Sequence, residues 1–220
     1  MPLPPLTTRF LARTALLVSL AALILSLARV RALPHAPVRT ALAAAPKTAL
    51  SRTLTTRDPA AAVSYYLTKQ PEDLTTYTHP VYGFSFPYLK DFTVQNIQDE
   101  RGEFVLVENP AVGMGFQLFI TPDEETETLT ATRIRHDLPD MAMDEVMEFL
   151  LPDDTPAVRF VSHDAVLGDV GETWFRKDGH IFQLSVSAPD RQLQDAWVRN
   201  IAATLTFPDD GTAYDSTQQQ

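Results

Sequence analysis

The dipeptide Asp178-Gly179 is the feature of this sequence that most restricts how the chain can fold. It joins two runs rich in β-branched and aromatic residues, at positions 173–177 and 180–184. Asp-Gly is among the dipeptides that best fit a two-residue hairpin turn, in which both central φ angles are positive. The sequence therefore predicts a β-hairpin at this point, within a sheet that is at least partly antiparallel.

The register set by this turn sends apolar side chains to both faces of the sheet. Phe175 is expected opposite Phe182, with Leu184 on the same face, because side chains alternate along a strand. Trp174 and Ile181 then point to the other face. Since both faces carry apolar side chains, both must be covered by other elements.

Hydrophobic periodicity predicts the remaining strands and helices. Strands are predicted around Phe84 and Phe86, around Phe92 and Val94, and over residues 103–108, 113–121, 143–150, 156–163 and 204–207. Helices are predicted from Pro59, over residues 128–136, and from about Pro189. The predicted fold class is α+β, an α/β/α sandwich: a largely antiparallel sheet with helices packed on its faces, preceded by one N-terminal apolar helix.

An uncharged, mostly apolar run occupies residues 14–28, directly after Arg13. Its length lies between the core of a signal peptide, about 7 to 15 residues, and a membrane helix of about 20. Arg29 and Arg31 follow the run and disfavour cleavage. We predict an uncleaved signal anchor over residues 1–30 that contacts the membrane through residues 10–30. A protein secreted after cleavage is the alternative.

Composition divides the rest of the chain. Residues 31–76 are rich in Ala, Thr, Pro and Arg and predict a flexible linker that includes the short helix from Pro59. Residues 77–208 carry the folded domain, and the polar residues 209–220 predict a disordered tail. We expect the domain to lie on the extracytoplasmic side of a single-pass membrane anchor, because a short N-terminal span typically serves to export the domain behind it.

The charge of the chain is unevenly distributed. Eight of its 18 basic residues and only one of its 28 acidic residues fall within the first 60 positions, so the remainder has a formal charge of −17. Such an acidic surface repels phosphate backbones, and no basic stripe interleaved with aromatic residues follows position 60. The sequence therefore predicts no binding to nucleic acid. It also has no cysteine, which excludes disulfides and thiolate sites.

Two segments resemble a known family. YGFSFPYLKDF at residues 82–92, and ETWFRKDGHIFQLSVSA at residues 172–188 followed by an amphipathic helix and TLTF, are similar to the PsbP-like domain group. That group consists of α/β/α sandwiches and includes the photosystem extrinsic subunit and bacterial envelope proteins. The resemblance covers roughly residues 77–207. It implies a binding or assembly scaffold, and it carries over no functional residue.

Candidate metal ligands are few. No pair of histidines has a spacing that would place two ligands on one helical face. His163, Asp164 and His180 remain as candidates, and they would meet only if neighbouring strands brought them together. We expect no metal and no cofactor.

Catalytic motifs are also missing from the sequence. It contains no Gly-x-Ser-x-Gly elbow and no glycine-rich phosphate loop. The chain is therefore predicted to be a non-enzymatic interaction or assembly domain whose partner is an unidentified envelope protein. The alternatives are a secreted protein that binds a small molecule or metal, and an envelope hydrolase of unrecognised type.

The two tryptophans are the candidate partner residues. Trp197 falls in helical step with Leu193 and Ile201, and we expect Trp174 and Ile181 to lie beneath that same closing helix. If the helix leaves them exposed, Trp174, Ile181 and Trp197 would form an apolar patch for a protein partner.

Overall fold

The computed structural model describes residues 58–100, 102–125 and 127–208. The predicted apolar helix over residues 10–30, the linker as far as residue 57 and the tail from residue 209 lie outside this part of the chain. Within the described residues, no helix is both long enough and apolar enough to cross a membrane.

The described residues form nine strands and three α-helices. In chain order these are α1 (Pro59–Leu67), a 3₁₀ turn (Pro71–Asp73), β1 (Leu74–Thr78), β2 (Ser85–Leu89), β3 (Thr93–Asp99), β4 (Gly102–Asn109), β5 (Met114–Pro122), α2 (Ala131–Asp137), β6 (Asp144–Leu150), β7 (Pro156–Asp164), β8 (Gly168–Lys177), β9 (His180–Ser187) and α3 (Arg191–Thr204).

Seven of the strands form one antiparallel sheet in the order β3-β4-β5-β9-β8-β7-β6, and β1 and β2 form a separate antiparallel pair. The predicted α+β class with a largely antiparallel sheet is thereby confirmed. Each neighbouring pair in the large sheet is antiparallel, and only the β5–β9 pair joins strands distant in sequence. That pair unites the two halves of the sheet at its centre.

The hairpin at the centre of the sheet has the predicted register. Asp178 and Gly179 have φ angles of 49° and 70°, as a two-residue turn of this type requires. Phe175 pairs with Phe182, and their rings stack at a centroid distance of 5.1 Å. This turn therefore fixes which face of the sheet each side chain of β8 and β9 occupies.

Two hydrophobic clusters cover the two faces. The main cluster lies between the sheet, the β1–β2 pair and helices α1 and α3, and includes Phe86, Phe175 and Trp197. The second cluster gathers Trp174 and other residues of the opposite face beneath α2, among them Leu129, Ala131, Ile134, Val158, Phe160 and Ile181. The expectation that Trp174 and Ile181 lie beneath the closing helix is therefore wrong, because α3 packs on the face of Phe175.

The element boundaries differ from the predicted ones at three places. Packing begins before residue 77, since Ala62 of α1 is fully buried in the main cluster. Strand β1 was not predicted, because LTTYT has only one aromatic residue to mark a core face. The predicted last strand is reduced to one bridge between Ser85 and Thr206, because α3 continues to Thr204.

A buried histidine holds the turn between β1 and β2. Nδ1 of His79 accepts hydrogen bonds from the backbone N–H groups of Val81 and Tyr82, each at 3.2 Å. The ring proton must then sit on Nε2, which donates to Oε1 of Glu103 at 3.0 Å. Burial lowers the pKa of His79 below its usual value, and the Glu103 carboxylate offsets this only in part.

Acid is expected to destabilise the fold through His79. Because the folded pKa is the lower one, the unfolded chain takes up this proton first, so the stability that His79 contributes is present above about pH 6.5 and is lost below it. Urea unfolding of the wild type and of His79→Asn, which keeps an acceptor for the turn but does not titrate, should diverge toward acid, by at most about 1.4 kcal/mol per pH unit. Parallel curves for the two proteins would contradict the assignment.

Replacement of Gly179 by alanine is expected to reduce the free energy of unfolding by about 1–2 kcal/mol, because alanine is strained at positive φ. The nearest atom to an added Cβ would be the Asp123 carbonyl oxygen at 3.9 Å, so the cost is conformational and not steric. Gly171→Ala in β8 is the matched control, since a Cβ there makes ordinary contacts with Gln194 and Val198 of α3. Equal urea midpoints for the two variants would refute this explanation.

Candidate functional site: an aromatic groove beside the last helix

An open groove of about 440 Å³ lies between α1, the β1–β2 pair and the second half of α3. We call it the aromatic groove. Most of its wall is apolar, and the residues that line it are Tyr66, Lys69, Gln70, Pro71, Leu74, Pro87, Tyr88, Leu89, Phe92, Phe116, Trp197, Asn200, Ile201 and Thr204. Its volume is in the range of about 300–1,000 Å³ typical of ligand pockets.

Three aromatic rings support the floor of the groove. The Trp197 ring meets Phe92 and Phe116 edge to face, at centroid distances of 5.5 and 5.7 Å. Aromatic pairs prefer this arrangement, and it fixes the orientation of each ring. Trp197 is held there because Leu193 and Ile201, one turn away on either side, are buried on the same stripe of α3. The floor is thus rigid before any partner binds.

The rim of the groove is more exposed than its floor. Leu74 lines the groove and is exposed, and Leu67, which follows the lining residue Tyr66 in the chain, is exposed as well. Tyr66 and Tyr88 are half-buried, so one side of each ring is accessible. A groove with a buried aromatic floor and an apolar, accessible rim can take up apolar side chains from a partner.

Among the described residues that line the groove, Lys69 is the one cation, and it is already paired. Nζ of Lys69 contacts Oδ2 of Asp91 at 2.8 Å and lies 4.1 Å from the centre of the Tyr65 ring. The Tyr65 hydroxyl donates to Asp91 at 2.6 Å, and burial together with this carboxylate raises the pKa of Tyr65 to about 12. Partial burial raises the pKa of Asp91, but hydrogen bonds from Lys69 and Tyr65 lower it further, so the net shift is downward.

This pairing decides what the groove can hold. Because the charge of Lys69 is balanced by Asp91, the groove has little attraction for an anion. Its other polar side chains are uncharged, and Asn200 donates a long hydrogen bond of 3.4 Å to the Tyr66 hydroxyl. An amide at this position can bind a main-chain carbonyl or amide. The occupant best suited to the groove is therefore apolar, with one or two neutral polar groups.

The candidate metal ligands lie apart. His163 faces Asp169 across the β7–β8 pair, whereas His180 faces Lys177 at the other end of β8. Eight residues of strand separate the two levels, which is about 26 Å. In the part of the chain that the structure describes, no three His, Asp or Glu residues are grouped as metal ligands would be.

Each candidate ligand has a local partner. Nδ1 of His163 lies 3.1 Å from Asp169, and Nδ1 of His180 lies 2.8 Å from the carbonyl oxygen of Asp178. Oδ1 of Asp164 accepts from the N–H groups of the next turn. These contacts stabilise the turns at which the three residues stand.

The three candidate partner residues are buried. Trp174, Ile181 and Trp197 expose only 1%, 4% and 8% of their surfaces. A docking surface must be accessible, so in this conformation they contribute packing. Of the three, only Trp197 lies at a candidate site, as part of the floor of the aromatic groove.

A buried carboxylate was not anticipated from the sequence. Glu172 is fully buried and accepts hydrogen bonds from Ser162 and Ser185, both at 2.7 Å, and from Nε1 of Trp174 at 3.0 Å. The alternation of side chains along β8 could have predicted this burial, because Glu172 and Trp174 are two residues apart and therefore lie on the same face of the sheet. Three donors from three neighbouring strands make this group a link across the centre of the sheet.

Comparison with known proteins finds similar solved structures. No protein-family model and no curated protein matches the sequence. The chain is similar to the solution structure of cyanobacterial PsbP (CyanoP) from Synechocystis sp. PCC 6803, with a TM-score of 0.51 and 12% identity over 64% of this chain and 96% of that chain. It is also similar to the crystal structure of a protein from Bacteroides thetaiotaomicron VPI-5482, with a TM-score of 0.38 and 14% identity over 64% of this chain and 51% of that chain.

The similarity to CyanoP extends over almost the whole of that protein. At 12% identity it is evidence of a common fold and leaves the function open. It agrees with the pattern of residues 82–92 and 172–188, which resembles the same group. The domain formed by the described residues has a fold similar to that of CyanoP.

Proposed function

We propose that this chain is a non-catalytic interaction or assembly domain, held at the membrane by its N-terminus, that binds an envelope protein through the aromatic groove. The observation that carries the proposal is the groove itself. It combines a rigid aromatic floor with an exposed rim that includes Leu74. Aromatic residues are enriched in protein interfaces, and buried aromatic pockets accept the side chains that dominate binding energy.

The composition of the groove argues against catalysis. Among the described residues that line it, none is a histidine, a carboxylate or a serine, and the only amine belongs to Lys69, which is paired with Asp91. General acid–base chemistry and nucleophilic attack both require such groups within reach of a substrate. An apolar site without them supports binding over hydrolysis.

The membrane part of the proposal rests on the sequence. Residues 10–30 contain the apolar run at 14–28 and further apolar residues beyond Arg13 and Arg29, and this longer stretch can span a bilayer when the arginines extend to the interface. An acidic domain behind a short N-terminal anchor is suited to the extracytoplasmic side, where it would meet other envelope proteins.

A second candidate function follows from the concave shape of the groove. A volume of about 440 Å³ accommodates a small apolar molecule as well as protein side chains. Asn200 and Gln70 would then orient the neutral polar groups of the ligand. Under this hypothesis, the chain would be a secreted or anchored protein that binds small molecules.

Deletion of residues 1–30 is expected to release the protein from membranes. The full chain should remain in the membrane pellet after carbonate washing, and the shortened chain should appear in the soluble fraction, because the apolar run supplies the attachment. Protease added to intact cells or spheroplasts should cleave the domain of the full chain. A domain that resists protease until the cells are lysed would refute export, and a mature protein that lacks residues 1–30 by mass would support the secreted alternative.

A photocrosslinking residue in place of Leu67 is expected to give one discrete adduct with an envelope protein in native membranes. The substitution Leu74→Asp should reduce its yield about tenfold or more, because it removes an apolar contact worth about 1.5–3 kcal/mol and places a charge in the groove. Leu74 is exposed in the free protein, so its replacement should leave the fold intact.

Val166 provides the matched control, since it is an exposed aliphatic residue outside the groove. A crosslinker at Val166 should give no such adduct, and Val166→Asp should leave the Leu67 adduct unchanged. Equal adducts from both positions would indicate random collision and would count against the proposal. Native mass spectrometry that instead shows a bound small compound, lost in Leu74→Asp, would establish the second candidate.

A further inference from the structure

We propose that the outer edge of β6, together with a pocket at its C-terminal end, binds an extended basic protein segment that adds a strand to the sheet. This surface is separate from the aromatic groove, and the two share no residue. Strand addition uses the main chain for affinity and pockets for alternate side chains for specificity. Each of these elements is present along β6.

The edge itself is the first element. β6 is the terminal strand of the large sheet, and in the described residues it pairs only with β7. Its first half is irregular, since Glu145 has a φ of 51° and the register shifts between Asp144 and Met147. From Met147 to Leu150 the pairing with β7 is regular. This second half presents a straight edge whose outward main-chain groups a further strand can pair with.

Apolar side chains accompany this straight edge. Met147 and Leu150 expose 51% and 60% of their surfaces, although they belong to a strand of the central sheet. A pocket of about 290 Å³ lies beside the end of the strand and is lined by Leu150, Leu129, Pro156 and Glu148. The pocket is large enough for one apolar side chain of an added strand, and its wall bears a carboxylate.

The negative charges along β6 determine which kind of segment can pair with it. Asp144 and Glu148 are exposed, and no cation of the described residues forms an ion pair with either, whereas Glu145 is paired with Arg191 at 2.9 Å. Like charges opposite each other destabilise a strand pair, so this edge disfavours pairing with a second copy of itself. A segment with lysine or arginine opposite these carboxylates fits it instead.

The spacing of the side chains defines the motif. Glu148 and Leu150 share one face of β6 because they are two residues apart. On an added strand, the residues opposite them are also two apart, whether the strand runs parallel or antiparallel. The expected segment therefore carries a basic and an apolar residue in the pattern basic-x-apolar or its reverse, in an extended conformation.

The probe for this site is a fluorescent peptide, Thr-Leu-Thr-Arg-Thr-Leu-Thr, which presents the motif in both directions. We expect it to bind the detergent-solubilised full chain, as measured by fluorescence anisotropy, and to bind more weakly at higher salt. Hydrogen exchange should slow at those amides of residues 147–150 that point away from β7, which are every second residue of the strand. A peptide with glutamate in place of arginine should not bind measurably.

The variant Asp144→Asn/Glu148→Gln should weaken binding about twofold to fivefold and reduce its dependence on salt, as expected when the single arginine of the peptide loses the carboxylates that attract it. Glutamine keeps a side-chain oxygen that can accept from the Ala131 N–H, as Oε1 of Glu148 does, so the start of α2 is preserved. Glu100→Gln, in the turn between β3 and β4 at the opposite edge of the sheet, is the control and should bind like the wild type.

Three results would overturn the proposal. These are equal binding of the glutamate peptide, unchanged affinity in the double variant, or exchange protection that appears at β3 or around the aromatic groove and not at β6. The Leu74→Asp variant should bind the peptide normally, because the edge does not depend on the groove. The two proposals can therefore fail independently.

Discussion

The fold depends on the register of the β8–β9 hairpin. A slip of β8 by one residue against β9 would move Phe175 to the α2 face and bring Trp174 to the α3 face, since side chains alternate along a strand. The two-residue turn at Asp178-Gly179 prevents this slip, because only one pairing closes it. Once the register is set, the large rings of β8 divide between two clusters, and each cluster requires its own helix.

Local signals account for what could be predicted from the sequence. The turn dipeptide marks the hairpin, continuous apolar runs mark β4 and β5, and a helical period marks α3, and all were predicted near their observed positions. Strand β1 was not predicted, because LTTYT has too few apolar residues to show alternation. The face of Trp174 followed from alternation, but which helix covers that face depends on long-range packing, which no local pattern reports.

The candidate site also combines features that a local sequence pattern predicted with contacts that depend on long-range packing. Trp197 was placed correctly in the core by its helical step, yet nothing in its neighbourhood indicated that Phe92 and Phe116 would meet it. The groove is assembled from α1, the β1–β2 pair and α3, which are distant in sequence. His163 and His180 were candidate ligands only if neighbouring strands brought them together. The register places them near opposite ends of β8.

The acidic surface of the domain explains how it can leave a strand edge open. An exposed edge with apolar side chains such as Met147 and Leu150 would ordinarily promote self-association. Asp144, Glu145 and Glu148 place negative charge along the same strand, so two copies that approach edge to edge repel each other. The same charges do not hinder, and in fact attract, a basic segment. Under the two proposals, specificity at this edge would arise from electrostatic exclusion of self, and the aromatic groove would select its partner by shape.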